Sequence, residues 1–196
     1  MAETFLERWL EGVLATPGLT GLGELGEARR VLLEDALRAV SLIEDLAGPV
    51  VDVGSGGGSP GIPLAVALPH REFTLLEAER RKCDFLRGVA AELPNVEVIW
   101  GRAEEQPTDG FAVALAKALA KPPVAAELCL PLVRPGGIAI LWTGETASPE
   151  QVAVVASHLF AGVESDENGL LVLRKLGPTP TGFPRRAGMA KKRPLA

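Results

Sequence analysis

Residues 50–63 read Val50-Val51-Asp52-Val53-Gly54-Ser55-Gly56-Gly57-Gly58-Ser59-Pro60-Gly61-Ile62-Pro63. A short apolar run with strand character enters a stretch dense in glycine, and Pro60 then stands where a helix can begin. Glycine accepts positive φ and lets backbone come close to a ligand, and proline suits a first helical turn. The segment therefore predicts a strand, a flexible turn and a helix start. In an open α/β sheet such a turn lies outside the carboxyl end of the strand, where ligands bind.

Moving outward, short apolar runs predict strands at 50–53, 73–77, 96–99, 112–116 and 137–142, with helices near 60–68, 79–92, 121–131 and 149–158 between them. This alternation argues for an α/β fold whose mostly parallel sheet carries helices on both faces. Runs near 158–164 and 169–174 predict antiparallel strands closing the sheet, joined through a polar turn over 164–169 that contains Asn168-Gly169. Ahead of the core, Phe5, Leu6, Trp9, Leu10, Val13 and Leu14 form one helical stripe, and apolar spacing from Glu27 to Leu46 predicts a second, continuous helix. The expected division is a helical extension over 1–47, a ligand-binding core over 48–176 and a basic tail over 177–196 without helical or strand period.

With 196 residues, 47% hydrophobic and 23% charged, the chain suits one domain with a substantial core. Cys83 and Cys129 form no C-x-x-C pair, and His70 and His158 are too scattered to complete a zinc site, so no metal is expected and a reducing cytoplasm fits. No run approaches the ~18 apolar residues of a membrane span, and the opening MAETFLERWLEG has no secretory pattern, so a soluble, unexported protein is expected; separately, it is expected to be a monomer. The net charge of −5 conceals an asymmetry: residues 174–196 carry seven cations and no acid, against 13 cations and 25 acids before them. The tail, not the body, is the candidate for phosphate contact.

The guest of the glycine turn is open to two readings. Gly56, Gly58 and Gly61 fit G-x-G-x-x-G, which admits a dinucleotide. Asp52, at the strand end, suits a cationic ligand better than a pyrophosphate, and Pro60 removes an amide donor a pyrophosphate would use. Both features favour S-adenosylmethionine, which carries a sulfonium and an ammonium. Glu77 ends the next strand, where a carboxylate can accept both ribose hydroxyls of either guest. In Gly101-Arg102-Ala103-Glu104-Glu105 the backbone and Glu104 are placed to flank an adenine edge, although by composition this is only a polar turn. The two cysteines read as packing residues on helices.

Taken together these residues resemble the RsmG/GidB family of small-subunit ribosomal RNA guanine-N7 methyltransferases. The resemblance rests on Asp52 to Pro63, Thr74-Leu75-Leu76-Glu77, Lys82-Cys83-Asp84-Phe85-Leu86 and Arg102-Ala103-Glu104-Glu105. It extends to the ending Phe183-Pro184-Arg185-Arg186 with Gly188 and Lys192-Arg193-Pro194-Leu195, and more faintly to Leu19-Thr20 and Glu34-Asp35-Ala36-Leu37. It implies a class I methyltransferase fold with S-adenosylmethionine as cofactor, held by Asp52, Gly54, Gly56, Gly58, Ser59, Glu77, Ala103, Glu104 and Lys117. It also implies ribosomal RNA or a small-subunit particle as partner, with Arg185, Arg186, Lys191, Lys192 and Arg193 on the phosphates. The sequence departs from the family pattern after the fourth strand, where Lys117 in Ala116-Lys117-Ala118 replaces an Arg and loses its planar fork. It departs again at Thr143, in place of a Lys, and at Asn168-Gly169, in place of Arg-His. Lys117 is the expected catalytic cation. The competing expectations are a weak or inactive S-adenosylmethionine- or RNA-binding relative and a small-molecule methyltransferase, with a dehydrogenase more distant.

Overall fold

The computed structural model describes residues 2–143 and 148–196. An N-terminal layer comprises α1 (Ala2–Ala15), α2 (Leu25–Ala28), a π-helical turn (Arg29–Glu34), α3 (Asp35–Leu37) and α4 (Val40–Ile43). The alternating part begins with β1 (Val50–Val53), α5 (Gly61–Ala67), β2 (Phe73–Glu77), α6 (Arg80–Ala90) and β3 (Val96–Trp100). It continues with β4 (Phe111–Lys117), α7 (Pro122–Cys129), β5 (Val133–Trp142), α8 (Pro149–His158), β6 (Ala161–Glu167) and β7 (Leu170–Lys175). A short α9 (Met189–Lys192) lies near the end.

The strands form one sheet in the order β3-β2-β1-β4-β5-β7-β6. β1 to β5 pair in parallel, while β7 runs antiparallel to both β5 and β6. Strand order reverses between β1 and β4, which opens a crevice at their carboxyl ends. Period-two alternation divides the core. Val51, Val53, Ala114, Ala116, Ala139 and Leu141 pack with Ala126, Val152 and Val155 of α7 and α8. Val50, Val113, Leu115, Ile138 and Ile140 pack with Ile43 of α4 and Leu64 of α5. Burial on both faces is why these strands read as unbroken apolar runs. A third cluster, including Trp9, Leu10, Val13, Ile62 and Leu86, joins α1 to α5 and α6. Among the described residues no helix is long and apolar enough to cross a membrane.

Three expectations are corrected. The helix over 27–46 is interrupted: its backbone opens into the π turn at Arg29–Glu34 and breaks again between α3 and α4. Side chains from the core draw on the opened turn, Ser59 Oγ donating to Leu32 O at 2.7 Å and Lys117 Nζ to Val31 O. The turn after β6 is only Asn168-Gly169, both with positive φ (53° and 76°), which suits a tight hairpin; the polar residues before it belong to an edge strand facing water. The C-terminal stretch is folded. Thr179 Oγ1 donates to Asp109 Oδ1 at 2.8 Å, and Lys175, fully buried, donates to Leu130 O at 2.8 Å and Thr179 Oγ1 at 2.7 Å. Phe183 and Leu195 pack on the core.

Candidate active site

A cavity of about 1080 Å³ lies at the crevice, between the glycine turn and the N-terminal layer. Gly54, Gly56, Ser59, Glu77, Ala103, Glu104 and Lys117 all line it, so the structure brings together seven of the nine residues expected to hold the cofactor. Trp9, Val13 and Leu32 cover it from the N-terminal layer, and Gly188, Ala190, Lys191 and Pro194 close it from the C-terminal stretch.

The turn itself is held by backbone. Gly54 N–H donates to Leu76 O at 2.7 Å, and Gly58 N–H to Ser55 O at 2.7 Å. At Gly54 φ is +73°, and a Cβ would stand 2.4 Å from Leu119 Cδ1. At Gly61 a Cβ would meet Leu75 Cδ2 at 2.4 Å, so close packing of α5 on β2 requires glycine there. Trp9 Nε1 donates to Gly57 O at 2.8 Å, which pins α1 onto the turn.

Glu77, only 8% exposed at the end of β2, accepts from Gly56 N–H at 2.9 Å through Oε2 and from Glu79 N–H at 2.8 Å through Oε1. Each oxygen retains acceptor capacity, so the fixed carboxylate can receive a pair of neighbouring hydroxyls. Glu104 lines the cavity, and its Oε1 accepts from Gly188 N–H at 2.8 Å. Lys117 Nζ lies 2.8 Å from Asp35 Oδ2. The next residue, Ala118, has φ +55°, an uncommon conformation for a residue with a Cβ that turns the chain sharply away from β4.

Three expected site residues are placed differently. Asp52 is 1% exposed and absent from the cavity wall; its Oδ2 accepts from Gly61 N–H at 3.1 Å, so it braces the start of α5. Val51 and Val53 occupy the face toward α7, which turns Asp52 to the opposite side. Burial pushes its pKa up to about 7, against the opposing pull of the Gly61 N–H. Gly58 is buried too, and a Cβ there would meet Ile62 Cγ1 at 2.7 Å and Trp9 Nε1 at 3.2 Å, so it serves packing rather than the cavity. Arg185 is engaged internally: Nε and Nη2 donate to Glu127 Oε1 and Oε2 at 2.6 and 2.5 Å, and Glu127 is 4% exposed. Of the other expected RNA contacts, Lys191 lines the cavity, while Arg186, Lys192 and Arg193 are exposed.

Trp9, Asp35 and Glu127 were not singled out as site residues. Trp9 was legible only as core; Glu127, a lone acid in the apolar run Pro122-Pro123-Val124-Ala125-Ala126-Glu127-Leu128-Cys129, carries the signal of a buried acid needing a cation. His70 and His158 are exposed, and Cys83 and Cys129 are buried with thiol pKa values raised by burial. Among the described residues no group of three or more His, Cys, Asp and Glu side chains is placed to hold a metal.

The chain is similar to known proteins in sequence and in shape. Residues 4–169 match the family described as GidB, rRNA small subunit methyltransferase G. A Rubrobacter xylanophilus protein named Ribosomal RNA small subunit methyltransferase G is 39% identical over 86% of this chain and 75% of its own length. Its namesake from Synechococcus elongatus is 35% identical over 79% of this chain and 72% of its own. Among solved structures, a T. thermophilus 16S rRNA methyltransferase in complex with AdoMet and guanosine has a TM-score of 0.56 at 16% identity, over 76% of this chain and 40% of that one. An O-methyltransferase from neocarzinostatin biosynthesis, in complex with S-adenosylmethionine, has a TM-score of 0.58 at 15% identity, over 78% of this chain and 58% of that one. At such identities the structural likeness shows the fold, that of a class I methyltransferase. By the extent of the sequence match, this chain belongs to the rRNA small subunit methyltransferase G (GidB) family.

Proposed function

We propose that the chain transfers a methyl group from S-adenosylmethionine to N7 of a guanine in small-subunit ribosomal RNA, acting in the cytoplasm as a monomer. The observation that carries the reading is Glu77, fixed by two backbone N–H groups on the wall of a cavity floored by the glycine turn. The residues present fit the cofactor: side-chain-free backbone at Gly54 and Gly56 allows close approach, Glu77 suits ribose hydroxyls, and Ala103 with Glu104 borders the same space. Family membership and the names of the curated relatives support ribosomal RNA as substrate.

When bound, S-adenosylmethionine supplies a methyl group made electrophilic by its sulfonium. The acceptor N7 of guanine has an in-plane lone pair that is unprotonated at neutral pH, so the chain needs no general base for the transfer. Its task is placement and exclusion of water, and good placement is worth roughly 7–11 kcal/mol. Trp9, Val13 and Leu32 form the roof that keeps water out. Lys117, at the cavity border, is a donor for the acceptor edge of the base. Lys191, Lys192 and Arg193, with Arg186, give the C-terminal end its contact with phosphate.

The test has two arms. Calorimetric titration with S-adenosylhomocysteine should show binding at one site. Incubation with labelled S-adenosylmethionine and undermethylated small-subunit RNA or particles should yield 7-methylguanosine after digestion. Binding without transfer to either substrate would overturn the substrate, and absence of binding would overturn the whole reading.

A further inference from the structure

A second cavity of about 400 Å³ adjoins the first. Lys117, Ala118 and Ala120 line both, so the turn after β4 is their common wall. The first cavity lies over the glycine turn and β2; the second lies over the ends of β4 and β5 and the Asn168-Gly169 hairpin, on the other side of the strand reversal. Its wall includes Trp142, Pro122, Arg38 and Asp35, the last being the one carboxylate lining it among the described residues.

We propose that this second cavity receives the methyl-accepting base, and that the Asp35–Lys117 pair reads it as guanine. The proposal rests on the function proposed above and adds the acceptor subsite to it. About 400 Å³ falls within the size range of small-ligand sites. Enzymes that modify a base commonly take it out of its stack into such a pocket, between aromatic or apolar walls and polar groups that read its edge. Trp142 provides the aromatic wall, and its Nε1 donates to the Asp35 carbonyl at 3.2 Å, tying that wall to the reading residue.

The polarity of the pair selects the base. Guanine presents two acceptors side by side, N7 and O6, followed by the donors N1–H and the exocyclic N2 amine. With N7 directed across the common wall toward the first cavity, O6 comes to Lys117 on that wall and N1–H comes to the position beyond it. Lys117 Nζ and Asp35 Oδ2 stand 2.8 Å apart, a donor beside an acceptor in the same order. Adenine presents the reverse, an N6 amine followed by a bare N1, which would set an N–H against an ammonium and a lone pair against a carboxylate. Arg38 Nη1 holds the other carboxylate oxygen at 2.6 Å, so Asp35 is fixed before a base arrives. Lys117 and Asp35 come from opposite sides of the crevice, β4 and the N-terminal layer, so the subsite exists only when that layer is docked.

The experiment uses the full chain loaded with S-adenosylhomocysteine and follows the three indole N–H signals by NMR, with Trp142→Phe identifying the Trp142 signal. Addition of guanosine monophosphate should move that signal, inosine monophosphate, which keeps O6 and N1–H, should move it with comparable affinity, and adenosine monophosphate should leave it in place. Asp35→Asn should weaken guanosine monophosphate roughly tenfold and abolish its preference over adenosine monophosphate. Asp35→Glu should recover part of both, and S-adenosylhomocysteine affinity should stay within about twofold in each variant. A Trp142 signal indifferent to guanosine monophosphate up to its solubility limit overturns the proposal, as does equal response to the adenosine compound or undiminished preference in Asp35→Asn. In those outcomes intact S-adenosylhomocysteine binding leaves the methyltransferase reading standing. Loss of binding in the unmutated protein removes that reading, and this proposal with it.

Discussion

Two carboxylates 25 residues apart in sequence, Asp52 and Glu77, lie on adjacent strands and on the same face of the sheet, and they do opposite things because Asp52 pairs with Leu75 beneath the start of α5 whereas Glu77 stands two residues further along, past the end of β1 at the crevice. Glu77 faces the cavity with two backbone donors, and Glu77→Gln keeps the shape but leaves an amide NH₂ against one of those N–H groups. The expected result is a stability loss of about 1–3 kcal/mol in urea unfolding and at least a tenfold weaker calorimetric affinity for S-adenosylhomocysteine. Asp52 faces inward, and its effect is on pH dependence. An unfolded chain releases the Asp52 proton in the ordinary carboxylate range, whereas the folded protein holds it to about 7. Between those limits the folded state binds more protons, so this residue's contribution is fully present at low pH and is lost as pH rises through about 7. Asp52→Asn, whose Oδ1 can still accept from Gly61 N–H, should flatten that decline. Urea unfolding near pH 5 and near pH 8 should show the stability difference between the two pH values shrink by a few kcal/mol in the variant, roughly.

At the level of elements, the C-terminal stretch owes its position to single polar pairs rather than to an apolar stripe. Arg185 neutralises Glu127 inside α7, Gly188 N–H caps Glu104, and Thr179 answers Asp109, across 58 to 84 residues of intervening chain. Such pairings leave no period in the sequence, which is why this stretch read as a basic tail without helical or strand period, and why Arg185 read as a phosphate contact. Arg185→Ala would strand the buried Glu127 carboxylate, a change that costs about 3–5 kcal/mol when no water can replace the partner. The expected outcome is a lower melting temperature together with early proteolytic cleavage within 177–188. The double variant Arg185→Leu with Glu127→Leu should recover stability, because the uncompensated charge is gone. A consequence follows for deletion experiments: cutting at residue 176 also removes Gly188, Lys191 and Pro194 from the cavity wall, so lost activity in that deletion would not single out RNA contact.

Across the whole molecule, what could be read in advance divides by the range of the interactions that decide it. The parallel strands and the glycine turn were legible because β1, β2 and β4 are buried on both faces and appear as apolar runs, and because only glycine fits at positions such as Gly54 and Gly61; the order of the strands was not. The roof formed by Trp9 and Val13 was not, since a stripe of apolar residues says that α1 packs without saying on what. The π turn was not either, because its apolar spacing is that of an ordinary helix and the opening depends on Ser59 and Lys117 from elsewhere in the chain. The charge asymmetry was legible, but only the structure sorts its cations by whether they already have a partner. That sorting makes a distinction in salt dependence. A cation that meets phosphate releases counterions on single-stranded RNA with a slope of about 0.7 each in log affinity against log salt, whereas one neutralised inside the fold contributes none. Replacing Lys191, Lys192 and Arg193 by Ala should therefore lower the slope for small-subunit RNA by about two and weaken binding uniformly across sequences, as filter binding at several salt concentrations would report. The double variant Arg185→Leu with Glu127→Leu, which removes this cation together with its buried partner, should leave the slope unchanged. A slope that falls with that double variant as much as with a Lys192→Ala exchange would mean that Arg185 leaves Glu127 for phosphate when RNA binds.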